Sequence, residues 1–183
     1  MIEPPPPARM YGSASRASAV SGAAEALGGS LHTLVHAVAY AKPEDLGGRF
    51  VDTSREAEPY MRDGGGSIMT LSYIAAERAV PGYNVMGVAK AALEAIVRHL
   101  AWDLGESGIR VNAISAGPVR TLAARGIPGF GAMADTIASR TPLRREITQD
   151  EVADTAVYLA SPLSVSVTGE TIFVDAGFHA MGI

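Results

Sequence analysis

The chain has 183 residues, a length that suits one domain with a sizeable buried core and is short for two. Its 15 Lys and Arg against 19 Asp and Glu leave a net charge of -4, and no basic run is longer than Arg144 with Arg145, which excludes a nucleic-acid binder that works by charge alone. A composition of 48% hydrophobic and 19% charged residues describes a folded globular chain, and zero cysteines remove disulfides, thiolate metal sites and cysteine nucleophiles together.

In chain order, residues 1–7 (MIEPPPP) lack the charged start and apolar core of a secretory signal, and no apolar run is long enough to span a membrane. The four prolines favour a stiff polyproline end, with a ligand for a proline-binding module as the sharper alternative. Residues 13–21 read as a loop leading into a short helix with Ala17, Val20, Ala24 and Leu27 on one face, stopped by Gly28 and Gly29. Residues 1–30 thus form a Pro-rich start and short helix, distinct from residues 31–183.

From there the pattern alternates. Residues 31–38 (LHTLVHAV), 67–72 (SIMTLS), 109–115 (IRVNAIS) and 171–175 (TIFVD) are short apolar, β-branched runs that predict buried strands. Between the second and third lies the strongest helix, carrying Val85, Val88, Ala89, Ala92, Leu93, Ile96, Val97, Leu100 and Leu104 at helical spacing and ending near Gly105 and Gly108. Residues 122–139, with Gly126, Pro128, Gly129 and Gly131, read as a mobile lid or a plain surface loop. Thr148 with Glu151 forms a capping box opening a helix to about Ala160. Strands separated by helices predict βαβ units, an α/β fold with helices on both faces of a parallel sheet. Of the four histidines only His32 and His36 have helical ligand spacing, and they fall in a strand, so they read as structural and no metal site is expected.

Parallel sheets bind ligands at the carboxyl ends of their strands. After the second strand come Tyr73 and then Tyr83, seven residues before Lys90. Seven residues at 100° each turn through about 700°, within about 20° of the starting direction, so Tyr83 and Lys90 share a helix face two turns apart. Lys90 is one of two lysines, the other being Lys42. On an Ala-rich stretch it must snorkel to solvent or meet a polar partner; spacing alone favours a surface lysine beside a core tyrosine over a site.

Residues 70–94 (TLSYIAAERAVPGYNVMGVAKAALE) resemble the active-site segment of NADH-dependent enoyl-acyl carrier protein reductases, divergent short-chain dehydrogenases of fatty-acid biosynthesis. Residues 111–123 (VNAISAGPVRTLA) are similar to that family's nicotinamide-binding loop, and further matches follow in order through residues 31–183, the catalytic part. The resemblance implies a Rossmann-like doubly wound sheet, here its C-terminal half of about four strands. It implies NADH-dependent reduction of the trans-2 double bond of an enoyl thioester carried on acyl carrier protein, in the cytoplasm, by a family that is typically homotetrameric. Tyr83 corresponds to the hydrogen-bond donor to the thioester oxygen and contacts substrate. Lys90 corresponds to the residue that holds the nicotinamide ribose and lowers the tyrosine pKa. Tyr73 corresponds to the second active-site tyrosine, or is a core aromatic with its hydroxyl satisfied. Val38 matches a cofactor contact and Ala41 a substrate contact; Val119, Arg120, Thr121, Leu122 and Ala123 match the nicotinamide and phosphate contacts. Ketone-reducing relatives place the tyrosine four residues before the lysine, where this chain has Met86, which cannot donate a proton.

The chain shows no Gly-x-x-x-Gly-x-Gly or Gly-x-Gly-x-x-Gly turn, and the crossover after Glu56 is about twenty residues shorter than the family's. The alternative expectation is therefore an impaired remnant or interaction protein, with a generic alcohol dehydrogenase as a weaker one. The first strand is expected at an exposed edge, prone to recruit other chains.

Overall fold

The computed structural model describes residues 25, 28–29, 32–36, 58, 60–61, 64–121, 124 and 129–182. Strand β1 (Thr33–His36) is followed by β2 (Gly66–Ser72), helix α1 (Asn84–Gly105), β3 (Ile109–Ala116), α2 (Phe130–Arg140), α3 (Gln149–Ala160) and β4 (Thr171–Val174). The four strands form one sheet in the order β1-β2-β3-β4, every pair parallel. Among the described residues, the four runs picked out by β-branched content supply the four strands, and β1 stands at the edge of that sheet.

The strands carry apolar side chains on both faces because both faces are covered. One face packs Ile68, Val111 and Ala113 with Ile109 against Val97, Leu100 and Leu104 of α1, together with Met61. The opposite face packs Met69 and Ile114 against Leu159 of α3, flanked by Val152, Ala156, Ile172 and Val174. Ile68 and Met69 are neighbours that point to opposite layers, as strand geometry requires. The α1 stripe of residues 97, 100 and 104 therefore fixes which side of the sheet this helix takes.

Helix boundaries follow local chemistry. The Thr148 side chain accepts from the Glu151 backbone N–H and the Glu151 carboxylate accepts from the Thr148 backbone, the reciprocal capping box that opens α3. After α1, Gly108 takes a φ of 69° and its N–H donates to the Gly105 carbonyl at 2.9 Å, so the chain reverses into β3. Within residues 122–139, expected as a lid or loop, the structure places α2 from Phe130 onward. Its pattern is weak because alanine does much of the packing: Ala134 is the fully buried residue of this helix. Arg140 lies in its last turn, where a cation complements the helix dipole.

The register aligns the functional ends. Ser72 pairs with Ser115, and Ala116 with Val174, so the carboxyl ends of β2, β3 and β4 finish on one edge of the sheet. The Gly117 N–H donates to the Val174 carbonyl at 2.9 Å, and a Cβ at Gly117 would stand 3.1 Å from the Asp175 Cα. A larger residue there would have to push the chain leaving β3 away from the end of β4 by a few tenths of an ångström.

Candidate active site

The site is built at the end of β2. The strand stops at Ser72, Tyr73 is extended at φ -151° and ψ 151°, and residues 74–76 turn through a short 3-10 segment before the chain reaches α1. Gly87, in the first turn of α1, lets the helix press on that turn: a Cβ there would meet the Ala75 carbonyl oxygen at 2.9 Å. This contact brings the two tyrosines together. The rings of Tyr73 and Tyr83 lie 5.0 Å apart between centroids at 57°, a tilted aromatic pair.

Tyr83 is the residue just before α1, with φ -92° and ψ -17°, so it adjoins the helical ladder rather than sitting inside it. It is half-buried and lines a cavity of about 460 Å³ with Ala76, Arg78, Val80 and Gly87, and so remains open to a ligand. Lys90 sits two turns further on, its Nζ donating to the Leu71 carbonyl at 2.8 Å. Tyr83 and Lys90 therefore reach the same strand end, at Tyr73 and Leu71. The lysine is not a snorkelling surface residue.

Burial sets the electrostatics. It raises the Tyr83 phenol above its ordinary pKa of 10.0, and raises Tyr73 likewise with a smaller contribution from Tyr83. Burial is the cause of the Tyr83 shift, in the direction opposite to the one expected from a neighbouring lysine. Both phenols stay protonated donors across neutral pH. Burial also lowers the Lys90 pKa from 10.5, opposed by the charge of Glu94.

Glu94, one turn beyond Lys90, is 7% exposed and accepts a short hydrogen bond from the Ser72 hydroxyl. The strand-end rule points to Ser72 with Tyr73, whereas reading of the sequence assigns no role to Leu71 or Glu94. The Lys90 and Glu94 spacing was a visible signal; the burial of the carboxyl was not.

On the neighbouring strand end, Val119, Arg120 and Thr121 follow β3. The Thr121 N–H donates to the Val119 carbonyl at 2.8 Å, and the Thr121 hydroxyl accepts from the Ala124 N–H at 3.1 Å. The Arg120 guanidinium, half-exposed, donates to both Glu146 oxygens and to Asp135, with a shortest distance of 2.6 Å to each partner, and is held well above its ordinary pKa by them. Val38, Ala41, Leu122 and Ala123 lie outside the described residues.

A last tie fastens the loop before α1 to the C-terminal turn. Arg78 donates to the carbonyls of Met181, at 2.8 Å, and His179. The His179 ring stacks on Phe173 at 4.1 Å and its Nδ1 lies 3.0 Å from the Asp175 carboxylate.

Residues 50–179 match one family model, which describes an enoyl-(acyl carrier protein) reductase. The chain belongs to that family. The enoyl-acyl carrier protein reductase [NADH] FabI of Bacillus cereus is 51% identical over 173 residues, spanning 84% of this chain and 67% of that protein. The corresponding reductase [NADPH] FabI of Staphylococcus aureus is 49% identical, with the same shares. A crystal structure of the reductase from Anaplasma phagocytophilum in complex with NAD superposes with a TM-score of 0.81 at 47% identity, over 93% of this chain and 71% of that one. This enoyl reductase chain thus spans about two thirds of the length of the curated relatives it matches. The Rossmann-like parallel sheet expected from the resemblance is the fold observed. Among the described residues no helix is long and apolar enough to cross a membrane.

Proposed function

We propose that this chain reduces the trans-2 double bond of an enoyl thioester carried on acyl carrier protein, using NADH, as a cytoplasmic step of fatty-acid biosynthesis. The observation that carries this reading is the Tyr73 and Tyr83 ring pair above Lys90 at the end of β2. The impaired-remnant alternative is disfavoured by the same geometry, since Tyr73, Tyr83 and Lys90 are all held by specific contacts.

The donor set suits a nicotinamide dinucleotide. An ammonium has three N–H donors, and Lys90 gives one to Leu71, which leaves two for a ribose diol. By family resemblance the segment Val119 to Thr121, which turns after β3, is assigned the carboxamide contact. The Arg120 side chain is engaged by Glu146 and Asp135, so this segment contributes through its main chain. Val38, Leu122 and Ala123 are assigned the remaining cofactor contacts and Ala41 a substrate contact by family resemblance. When bound, the dinucleotide supplies the hydride that adds to the β-carbon of the thioester.

The chain's own residues do the rest. The Tyr83 phenol, kept protonated by burial, donates a hydrogen bond to the thioester oxygen, where negative charge grows as the β-carbon is reduced. That bond strengthens in the transition state and so raises turnover. Tyr73 packs on Tyr83 and holds its ring. Met86 faces no such task, which favours an enoyl group over a ketone. The choice of NADH over NADPH follows the relatives whose names specify NADH, against others named for NADPH.

Titrating the chain with NADH while following nicotinamide fluorescence, then adding a crotonyl thioester, tests the reading. Saturable binding and turnover are expected. No binding at millimolar cofactor overturns it.

A further inference from the structure

Three consecutive residues at the end of β2 each take a different residue of α1 or its start. The Leu71 carbonyl accepts from Lys90, the Ser72 hydroxyl donates to Glu94, and the Tyr73 ring packs on Tyr83. Two of these contacts serve the proposed reaction directly. The middle one has no role in it so far.

A carboxyl at 7% exposure loses most of its hydration, and such a group persists only with partners that replace water. Glu94 has Ser72 as its hydrogen-bond donor from the strand. The charged groups that face it are Lys90 and Arg98 from its own helix, which favour the carboxylate, and Glu77 from the loop before α1, which opposes it. Burial itself pushes Glu94 toward the neutral acid, and the Ser72 bond counters that. The order along the helix is informative too. Lys ahead of Glu at four residues is the weaker arrangement for helix stability, so α1 gains little from the pair as a helix. Its use lies across the fold, at the strand end where Lys90 docks.

We propose that Ser72 and Glu94 are positioning residues for Lys90: the serine locks the carboxylate one helical turn beyond the lysine, and the carboxylate keeps the Lys90 ammonium charged and seated on the Leu71 carbonyl, with its free N–H groups turned to the cofactor ribose. The consequence for catalysis rests on the nicotinamide reading above; the seating of Lys90 does not.

Because the chain has two lysines, labelling with [ε-13C]lysine gives two signals, and Lys42→Arg assigns them. A pH titration of the full chain then reads Lys90 directly, with or without enzyme activity. In the parent chain Lys90 is expected to titrate below an ordinary lysine. Glu94→Gln lowers the Lys90 midpoint by about half a pH unit or more. Ser72→Ala, which removes only a hydroxyl, moves Lys90 the same way by less, because the carboxyl becomes harder to ionise. Glu94→Asp restores part of the shift. NADH binding in Glu94→Gln weakens at a lower pH than in the parent chain, because Lys90 loses its proton earlier as pH rises.

A Lys90 midpoint unchanged in both Glu94→Gln and Ser72→Ala overturns the proposal, and Ser72→Ala decides it alone if the glutamine variant does not fold. If the midpoint shifts while the parent chain binds no NADH, the positioning pair stands and the reductase reading falls. If reduction proceeds while the midpoint stays fixed, the reductase reading stands and the pair falls.

Discussion

Two strand ends of this sheet solve the same problem in opposite ways. At the end of β2, Lys90, Glu94 and Ser72 meet in a partly or wholly buried cluster where each polar atom has a defined partner. After β3, Arg120 meets Glu146 and Asp135 in the open, with the arginine and aspartate side chains 50% and 70% exposed. Both clusters hold short contacts, yet water and salt screen the exposed one, so its net contribution to folding is small. At the buried one, the low dielectric strengthens each contact and raises the cost of losing a partner. Short distance is a poor guide to importance; burial decides.

The most damaging change at the buried end is Tyr83→Phe. It keeps the ring pair with Tyr73 and removes the donor, so kcat for a crotonyl thioester should fall by about 10²–10³-fold while NADH affinity holds. A fall in affinity with kcat intact would instead place Tyr83 in cofactor binding. Next comes Gly87→Ala, which sets a methyl group against the Ala75 carbonyl oxygen at 2.9 Å. Helix and loop must part, at roughly 1–3 kcal/mol in urea unfolding, and the tyrosine pair should loosen with them. Away from both clusters, Thr148→Ala removes the cap of α3 and costs about 1 kcal/mol.

The exposed side is predicted to respond weakly. Arg120→Gln should leave the thermal midpoint unchanged and alter NADH affinity by less than about threefold, since a solvent-screened cation with two carboxylate partners offers little to a phosphate. A tenfold loss of affinity would show that the guanidinium swings to the cofactor. The capping carboxylate of α3 gives a pH signature. Glu151 is held down from 4.5 to about 2, first by the Arg145 guanidinium and then by the Thr148 backbone. A depressed acid stabilises the fold above its unfolded pKa and loses that contribution as pH falls through the folded one. Acid melts of the parent chain and Glu151→Gln should therefore converge between about pH 4.5 and pH 2.

Most elements were legible because their signals are local. Leu100 and Leu104 at helical spacing, Thr148 with Glu151, and the β-branched run from Ile109 each state a preference within a few residues. Helix α2 was read as a lid because Ala134 is its fully buried residue and its glycines mimic a loop; only the packing partner reveals the helix. At the site, spacing placed Tyr83 and Lys90 on one face but by itself favoured a surface lysine. The upward push of burial on the two phenols is likewise not written in spacing.

The sequence by itself determined the strand and helix order, the residues of the tyrosine and lysine pair and, through their order, the family to which the chain belongs. The tertiary structure alone decided that Leu71, Ser72 and Tyr73 hand themselves one by one to Lys90, Glu94 and Tyr83. Those partners are ten to twenty-two residues apart in sequence and meet only because Gly87 lets α1 press on the turn after β2. Hydrogen bonds and desolvation act across that contact, and no local pattern encodes which atoms lose water there.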